Sequence, residues 1–450
     1  MEINSFIQKL FARASEAGYE ASEAYYATGE EFEVSVKGGE IIDYSVSSSI
    51  GLSFRALVDG KMGYASTQVL DEDAIDLLID GVGGNARMIE NDDEEFIFAG
   101  SASYPELKAY NPAIDEISAA DKIEMAQQLE QKVLALDPAV KQVQTVQVAS
   151  MAGEKRIVNS KGLDVSFRDN AIGCAAIAIA MDGPKVAVGM GYKFVRNPDE
   201  LNLDEIAGCA VKDAVSGLNA EPVTSGAYPV VLRNDVMASM LSCFDSVFSA
   251  DMAQKGLSLL KGREGEEIAA PIITIIDDPL DPKALASTPF DAEGVATARR
   301  EIVKEGKLTT LLHNLKTARK QGVETTANAS KGSYASPVDI APTNFYIVPG
   351  EASVEALYEQ VGEGLLITDV EGLHSGANQI SGDFSLGARG YRIENGRLTT
   401  AVNQITVAGN FFEMLKSITA VGSDLEFCFP GASCIGAPSV LVSKLAIAGK

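Results

Sequence analysis

Three two-residue turn signals constrain the fold of this chain more than any other feature. Gly38-Gly39, Asp59-Gly60 and Asp182-Gly183 each stand between segments of alternating apolar and polar residues. Such dipeptides suit the primed hairpin turns, whose positive φ angles match the twist of antiparallel strands. Glu31 to Lys37 pairs on this reading with Glu40 to Ser47, Ile50 to Val58 with Lys61 to Ser66, and Ala171 to Met181 with Lys185 to Phe194. Val143 to Ser150 and Glu154 to Asn159 read as further strands. Runs of antiparallel hairpins favour α+β, antiparallel sheets with segregated helices, over a doubly wound parallel sheet.

Helices fall between the hairpins. Phe6, Ile7, Leu10, Phe11 and Ala14 share one face before Gly18, a natural C-terminal stop. Asp71 precedes a helix with Ile75, Leu78, Ile79 and Val82 inward, and Ser118 with Asp121 has capping-box spacing. A helix from Leu203 to Val215 follows, then a linker from Gly217 to Pro229. Three sequential units are expected: an N-terminal α+β unit over 1–98, a middle α+β unit over 113–216, and a mainly β unit over 226–450.

The chain's 450 residues include 63 acidic and 37 basic side chains, a net charge of −26. That balance disfavours sequence-independent binding to nucleic acid or an anionic membrane, both of which need cations to neutralise phosphate. The opening Met-Glu-Ile-Asn-Ser-Phe has no signal pattern, and the most apolar window, Ala171 to Met190, is broken by Asp182, Pro184 and Lys185. Five cysteines without CxxC spacing read as buried thiols of a cytoplasmic protein.

One run has the composition of a site. Ile367 to Gly390 is dense in Gly, Ser, Asn and Asp, which is unlike a packed helix or an ordinary strand, and it holds His374, one of only two histidines. With two histidines an HExxH zinc motif cannot be written. His313, in Thr310-Leu-Leu-His-Asn-Leu, reads as a hydrogen-bonded structural histidine at the end of a strand or start of a helix. Ser375 beside His374 suggests a nucleophile and base, but adjacent residues seldom reach that geometry. Gly189-Met-Gly191 lacks a third glycine, and Gly431 to Gly436 resembles a nucleophile elbow with wrong spacing, better read as a turn before Val440-Leu441-Val442. Asp277, Asp278 and Asp281, broken by Pro279 and Pro282, read as a solvated loop rather than a cation site.

Four long stretches carry a family resemblance: Pro229 to Ser242, Pro289-Phe-Asp-Ala-Glu-Gly-Val295, Asn403 through Leu415 to Ala420, and the glycine-rich run. Together they resemble the TldD/PmbA family, its PmbA (TldE) branch in particular, which carries an old label as modulator of DNA gyrase. The resemblance implies a zinc metallopeptidase of two related subunits, cytoplasmic, cleaving unfolded peptides or small flexible proteins. It implies that the TldD-like partner holds zinc in an HExxxH helix and that the PmbA branch does not. Aligned on Val230-Val231-Leu232, the motif positions fall on Ser242, Cys243 and Val247, a set that cannot hold zinc, so no metal or other cofactor is expected in this chain. The expected role is non-catalytic: a wall of a peptide channel in a heteromer with a TldD-like subunit, with a homodimer in isolation. His374, Ser375, Gly376, Asn378, Ser381, Gly382 and Asp383 are the candidate peptide- or partner-contacting residues. The alternatives are an independent hydrolase using Ser375 or Cys243, and an acidic regulator of a DNA enzyme.

Overall fold

The computed structural model describes residues 1–90, 93–428, 431 and 433–450. Six antiparallel strands form the first sheet: β1 (Ala21–Lys37), β2 (Glu40–Val58), β3 (Lys61–Thr67), β4 (Val140–Asn159), β5 (Asp164–Asp182) and β6 (Lys185–Val195). Their order is β3-β2-β1-β4-β5-β6, so β1 pairs with β4 and one sheet runs through the first two units. The turn glycines behave as their positions require. Gly38 and Gly39 have φ of 64° and 78°, and Asp59 and Gly60 have 51° and 75°. The third turn is displaced by one residue, because Asp182 pairs with Lys185 and leaves Gly183-Pro184 as the loop.

Side-chain alternation divides this sheet into two faces. The helices α1 (Ile3–Glu16) and α2 (Glu72–Arg87) cover Ala24, Leu52, Phe54 and Ala56, while α3 (Ala119–Leu136) and α4 (Leu203–Gly217) cover Phe32, Val34, Val36 and Ala176. Asp71 caps α2 through the Ala74 N–H at 2.8 Å, and Ser118 with Asp121 forms the capping box of α3. The opposite face carries Glu23, Tyr25 and Arg55, and it meets the last unit of the chain.

That last unit holds two six-stranded sheets and a small pair, Ala329–Ser330 with Asp339–Ile340, around the largest core. Strand Gly226–Leu232 runs parallel to Gly364–Glu371, which pairs with Asp383–Glu394, which pairs with Arg397–Asn410. Strand Val440–Ala448 bonds to both Gly226–Leu232 and Arg397–Asn410, closing a ring of five. A ring leaves no free edge among those strands. The second sheet has the order Lys307–Leu308, Arg300–Lys304, Ile275–Asp277, Asn344–Ile347, Cys434–Ala437, Glu426–Phe427. Between the sheets lies α5 (Asn234–Cys243).

Several expectations are corrected here. The glycine-rich run is strand up to Glu371 and again from Asp383, with a short helical turn, Leu373–Gly376, between. Its Gly-Ala-Arg-Gly segment is tolerated as strand because Gly390 lets the Leu366 carbonyl approach, where a Cβ would stand 1.8 Å away. Asp277 is no solvated loop residue. It is 3% exposed, and its carboxylate accepts from Asn328 Nδ2 at 2.6 Å and the Thr343 N–H at 2.9 Å. Burial pushes it up to about 7. Among the thiols Cys174 and Cys434 are buried, Cys243 and Cys428 half-buried, and Cys209 exposed. The elbow-like Gly431–Gly436 stretch includes Ala432, which lies outside the described residues, and ends in the strand Cys434–Ala437.

Candidate functional site

Where β6, α4 and α5 meet the glycine-rich run, a cleft of about 1310 Å³ opens between the middle of the chain and its last unit. Met190 and Tyr192 come from β6, Asp213 from α4, and Ser239, Ser242 and Cys243 from one face of α5. Positions three and four apart share a helix face, which is why these three appear together. His374, Ser375, Gly376, Asn378 and Asp383 complete the opposite wall. Ser381 and Gly382, also singled out from the sequence, stand behind that wall and do not line the cleft.

The wall is held by its own hydrogen bonds. Asn378 Oδ1 accepts the N–H groups of Ile380 and Ser381 at 3.0 and 3.1 Å, and the Asn378 N–H donates to the Asp383 carbonyl at 2.8 Å. Asn410 caps the helix Phe411–Lys416 and turns its Nδ2 to the Ser381 carbonyl and Asp383 Oδ1, at 2.9 and 3.0 Å. Asn410 and Ser381 hold the Asp383 carboxyl below the usual carboxylate range. Sequence reading missed Gln379, which ties the wall to the helix. Its Nε2 donates to the Cys243 carbonyl at 2.8 Å, and its Oε1 accepts from Ser246 Oγ at 3.1 Å. No local pattern could signal a bond across 136 residues.

Two arginines, also missed, brace the floor. Arg233 makes a bidentate pair with Asp235 at 2.7 Å through Nε and Nη2 and reaches Asp213 on α4 at 3.1 Å. Burial works against the charge of Arg233, but Asp235 and Asp213 hold it protonated. Arg389 pairs with Asp369 at 2.8 Å and donates to the Val188 carbonyl on β6 at 2.7 Å.

Neither candidate nucleophile in the cleft is activated. Ser375 Oγ donates to the Gly372 carbonyl at 3.4 Å rather than to exposed His374, so no nucleophile–base pair forms. Burial raises the Cys243 thiol, the opposite of what a reactive thiolate needs. The helix α5 ends at Cys243, because the chain tightens into a 3-10 turn over Asp245–Phe248. Ser242 and Cys243 therefore face the cleft, while Val247, 2% exposed, points into the core. A hydroxyl, a protonated thiol and a buried valine do not make a zinc site. Among the described residues no three His, Cys, Asp or Glu side chains gather as ligands. His313 is buried just before the helix Leu315–Gln321, with Nδ1 3.2 Å from Thr317 Oγ1.

The chain's three consecutive segments match the domains of one known family. Residues 22–86 match the PmbA/TldA metallopeptidase domain 1, 112–218 the central domain, and 225–449 the C-terminal domain. The chain belongs to the PmbA/TldD metallopeptidase family. It is 31% identical to the metalloprotease PmbA homolog of Haemophilus influenzae, over 91% of this chain and 88% of that one. It is 29% identical to the metalloprotease PmbA of Escherichia coli O157:H7, over 93% and 90%. Among solved structures, a Thermotoga maritima protein provisionally labelled modulator of a DNA gyrase superposes with a TM-score of 0.91 at 37% identity, over 99% of this chain and all of that one. TldE from Thermococcus kodakarensis shares the fold, with a TM-score of 0.90 at 22% identity over 98% of this chain and all of that one.

Proposed function

We propose that this chain is the non-catalytic subunit of a two-subunit zinc metallopeptidase and supplies one wall of its peptide channel. The observation that carries the proposal is the cleft itself. It is large and braced by ion pairs, yet the positions aligned with the zinc motif are Ser242, Cys243 and Val247. In this reading a TldD-like partner supplies zinc, the glutamate base and the hydrolytic water.

The substrates are unfolded peptides or small flexible proteins, taken in extended form. β6 is an edge strand of its sheet, and the register at Asp182–Lys185 directs the backbone groups of Val188 and Met190 away from β5. Arg389 already donates to the first of these groups, the Val188 carbonyl. Met190 lies in the cleft, where an added strand would gain main-chain bonds with little demand on sequence. His374, Ser375, Gly376, Asn378 and Asp383 would face that peptide or the partner, with Ser381 and Gly382 supporting them. The working location is the cytoplasm, and in isolation the chain forms a homodimer.

Two other readings have less support. The raised Cys243 thiol and the turn-bound Ser375 hydroxyl disfavour an independent hydrolase. The net charge of −26 offers no cationic surface of the kind that grips DNA, though an acidic regulator of a DNA enzyme would not need one. Metal analysis of the purified chain tests the proposal. It is expected to show no stoichiometric zinc after dialysis, and one tightly held zinc per chain would overturn it.

A further inference from the structure

A separate cavity of about 450 Å³ opens on the face of the first sheet that meets the last unit. It shares no lining residue with the cleft. The strand register builds its floor. Ala27, Lys155 and Phe167 lie side by side across β1, β4 and β5, and Gly153 with Asp169 forms the next row on that face. Gly153 leaves the floor bare, and the Asp169 carboxylate lies over it, with Oδ1 3.4 Å from where a Cβ would stand. Residues 285–288 of the last unit form the roof.

The roof hydroxyls are already engaged. Ser287 Oγ donates to the Asp281 and Ala284 carbonyls, and Thr288 Oγ1 donates to the Phe290 carbonyl. Lys155 is different. Its Nζ stands 5.7 Å from the centre of the Phe167 ring and 5.3 Å from that of Phe290. Among the described residues it makes no hydrogen bond, and no carboxylate oxygen lies within the 4.0 Å of an ion pair. Burial holds the amine down at about 8, although Asp169 and Asp291 favour its charge from farther off. The same burial raises the Asp169 carboxyl, against Lys155 and Arg196. An amine that loses its proton easily thus faces a carboxyl that keeps one easily.

We propose that Lys155 condenses with a small, uncharged aldehyde or ketone held in this cavity, with Asp169 as the proton donor. The neutral Nζ attacks the carbonyl carbon and a C–N bond forms. The carbonyl oxygen takes a proton from Asp169, and the nitrogen returns one to it. That hydroxyl then leaves as water with the Asp169 proton, while the nitrogen lone pair closes a C=N bond. Amine, carbonyl and carboxylic acid thus become iminium, water and carboxylate. Charge selects this chemistry over acyl transfer. An iminium keeps the cation that two rings and two carboxylates favour, whereas an amide would abolish it. The same carboxylates repel anionic acyl donors. The apolar walls, Ala27, Ala171, Leu285 and Ala286, suit a hydrocarbon body.

Reductive trapping on the full chain tests this. The folded protein is treated near pH 7.5 with benzaldehyde and cyanoborohydride, and modified lysines are mapped by mass spectrometry. Lys155 is expected to be benzylated about tenfold faster than the exposed Lys212 and Lys444. Asp169→Asn removes the proton donor and also a charge that holds the proton on Lys155. Benzylation of Lys155 should therefore slow by about tenfold or more in that variant, while its acetylation by uncharged acetic anhydride quickens. Benzylation of Lys155 no faster than that of Lys212 would overturn the inference. So would an Asp169→Asn variant that leaves benzylation unchanged or slows acetylation equally, or a wild type in which acetyl phosphate modifies Lys155 as fast as benzaldehyde does.

Discussion

Arg55 and Glu293, 238 residues apart in the chain, meet in the interior with Nη1 3.4 Å from Oε1. On its other side Arg55 Nε donates to Glu23 Oε1 at 2.8 Å, while Glu293 Oε2 accepts the Leu315 N–H at 2.8 Å. This buried triad joins the first sheet to the last unit and fixes the frame in which β6 can wall the cleft. Its second carboxylate belongs to Pro289–Val295, one of the stretches that carried the family resemblance. Asp291 in the same stretch accepts the N–H groups of Glu293, Val295 and Ala329. That motif is therefore an architectural joint.

Removing the cation from such a triad strands two carboxylates away from water. Arg55→Met is expected to lower the unfolding free energy by about 3–5 kcal/mol. Urea denaturation followed by circular dichroism measures the loss, and a midpoint within error of wild type would show that the triad holds nothing.

Asp245, just beyond α5, is pushed up to about 6 by burial, against the Ser246 N–H that favours its charge. Because its folded value exceeds its unfolded value of 3.8, the ionised form is disfavoured by folding. The cost is absent below the unfolded pKa, grows as pH rises toward about 6, and is constant above that. Asp245→Asn should therefore match wild type near pH 4 and exceed it by about 3 kcal/mol near pH 7.5. Urea midpoints at both pH values would show it, and equal differences at the two would refute the assignment.

Gln379 is the tie between wall and helix, so Gln379→Ala is expected to loosen the loop without unfolding the protein. The loss should be about 1 kcal/mol for the two hydrogen bonds. Hydrogen exchange should rise in residues 377–383 and stay unchanged in β1 and β4. Uniform acceleration across the chain would mean the tie is global.

If His374 is a wall residue, its imidazole is dispensable for chemistry. His374→Ala, assembled with a TldD-like subunit, should keep kcat within about twofold of wild type, since general acid–base catalysis typically contributes 10²–10⁴-fold. A hundredfold drop in kcat would restore His374 as a catalyst.

The hairpins were legible because Gly38-Gly39 and Asp59-Gly60 announce turns that few other residues can make. Strand lengths were not. β4 runs unbroken through Met151-Ala-Gly-Glu154, where an exposed methionine and a glycine interrupt the alternation that marks a strand in sequence. Asp277 looked like loop because prolines follow it, and the partners that bury it, Asn328 and Thr343, lie 51 and 66 residues away. The glycine-rich wall was visible through composition, and the family through long motifs. What composition could not supply was the floor of the cleft. Arg233 with Asp213, and Arg389 with the Val188 carbonyl, exist only once the sheets have packed.

The most direct test of the account is a peptidase assay on this chain, on a TldD-like subunit from the same cell, and on the two mixed. Hydrolysis of an unstructured peptide is expected only in the mixture, and a chelator should abolish it. Hydrolysis by this chain alone that persists under chelation would contradict the account.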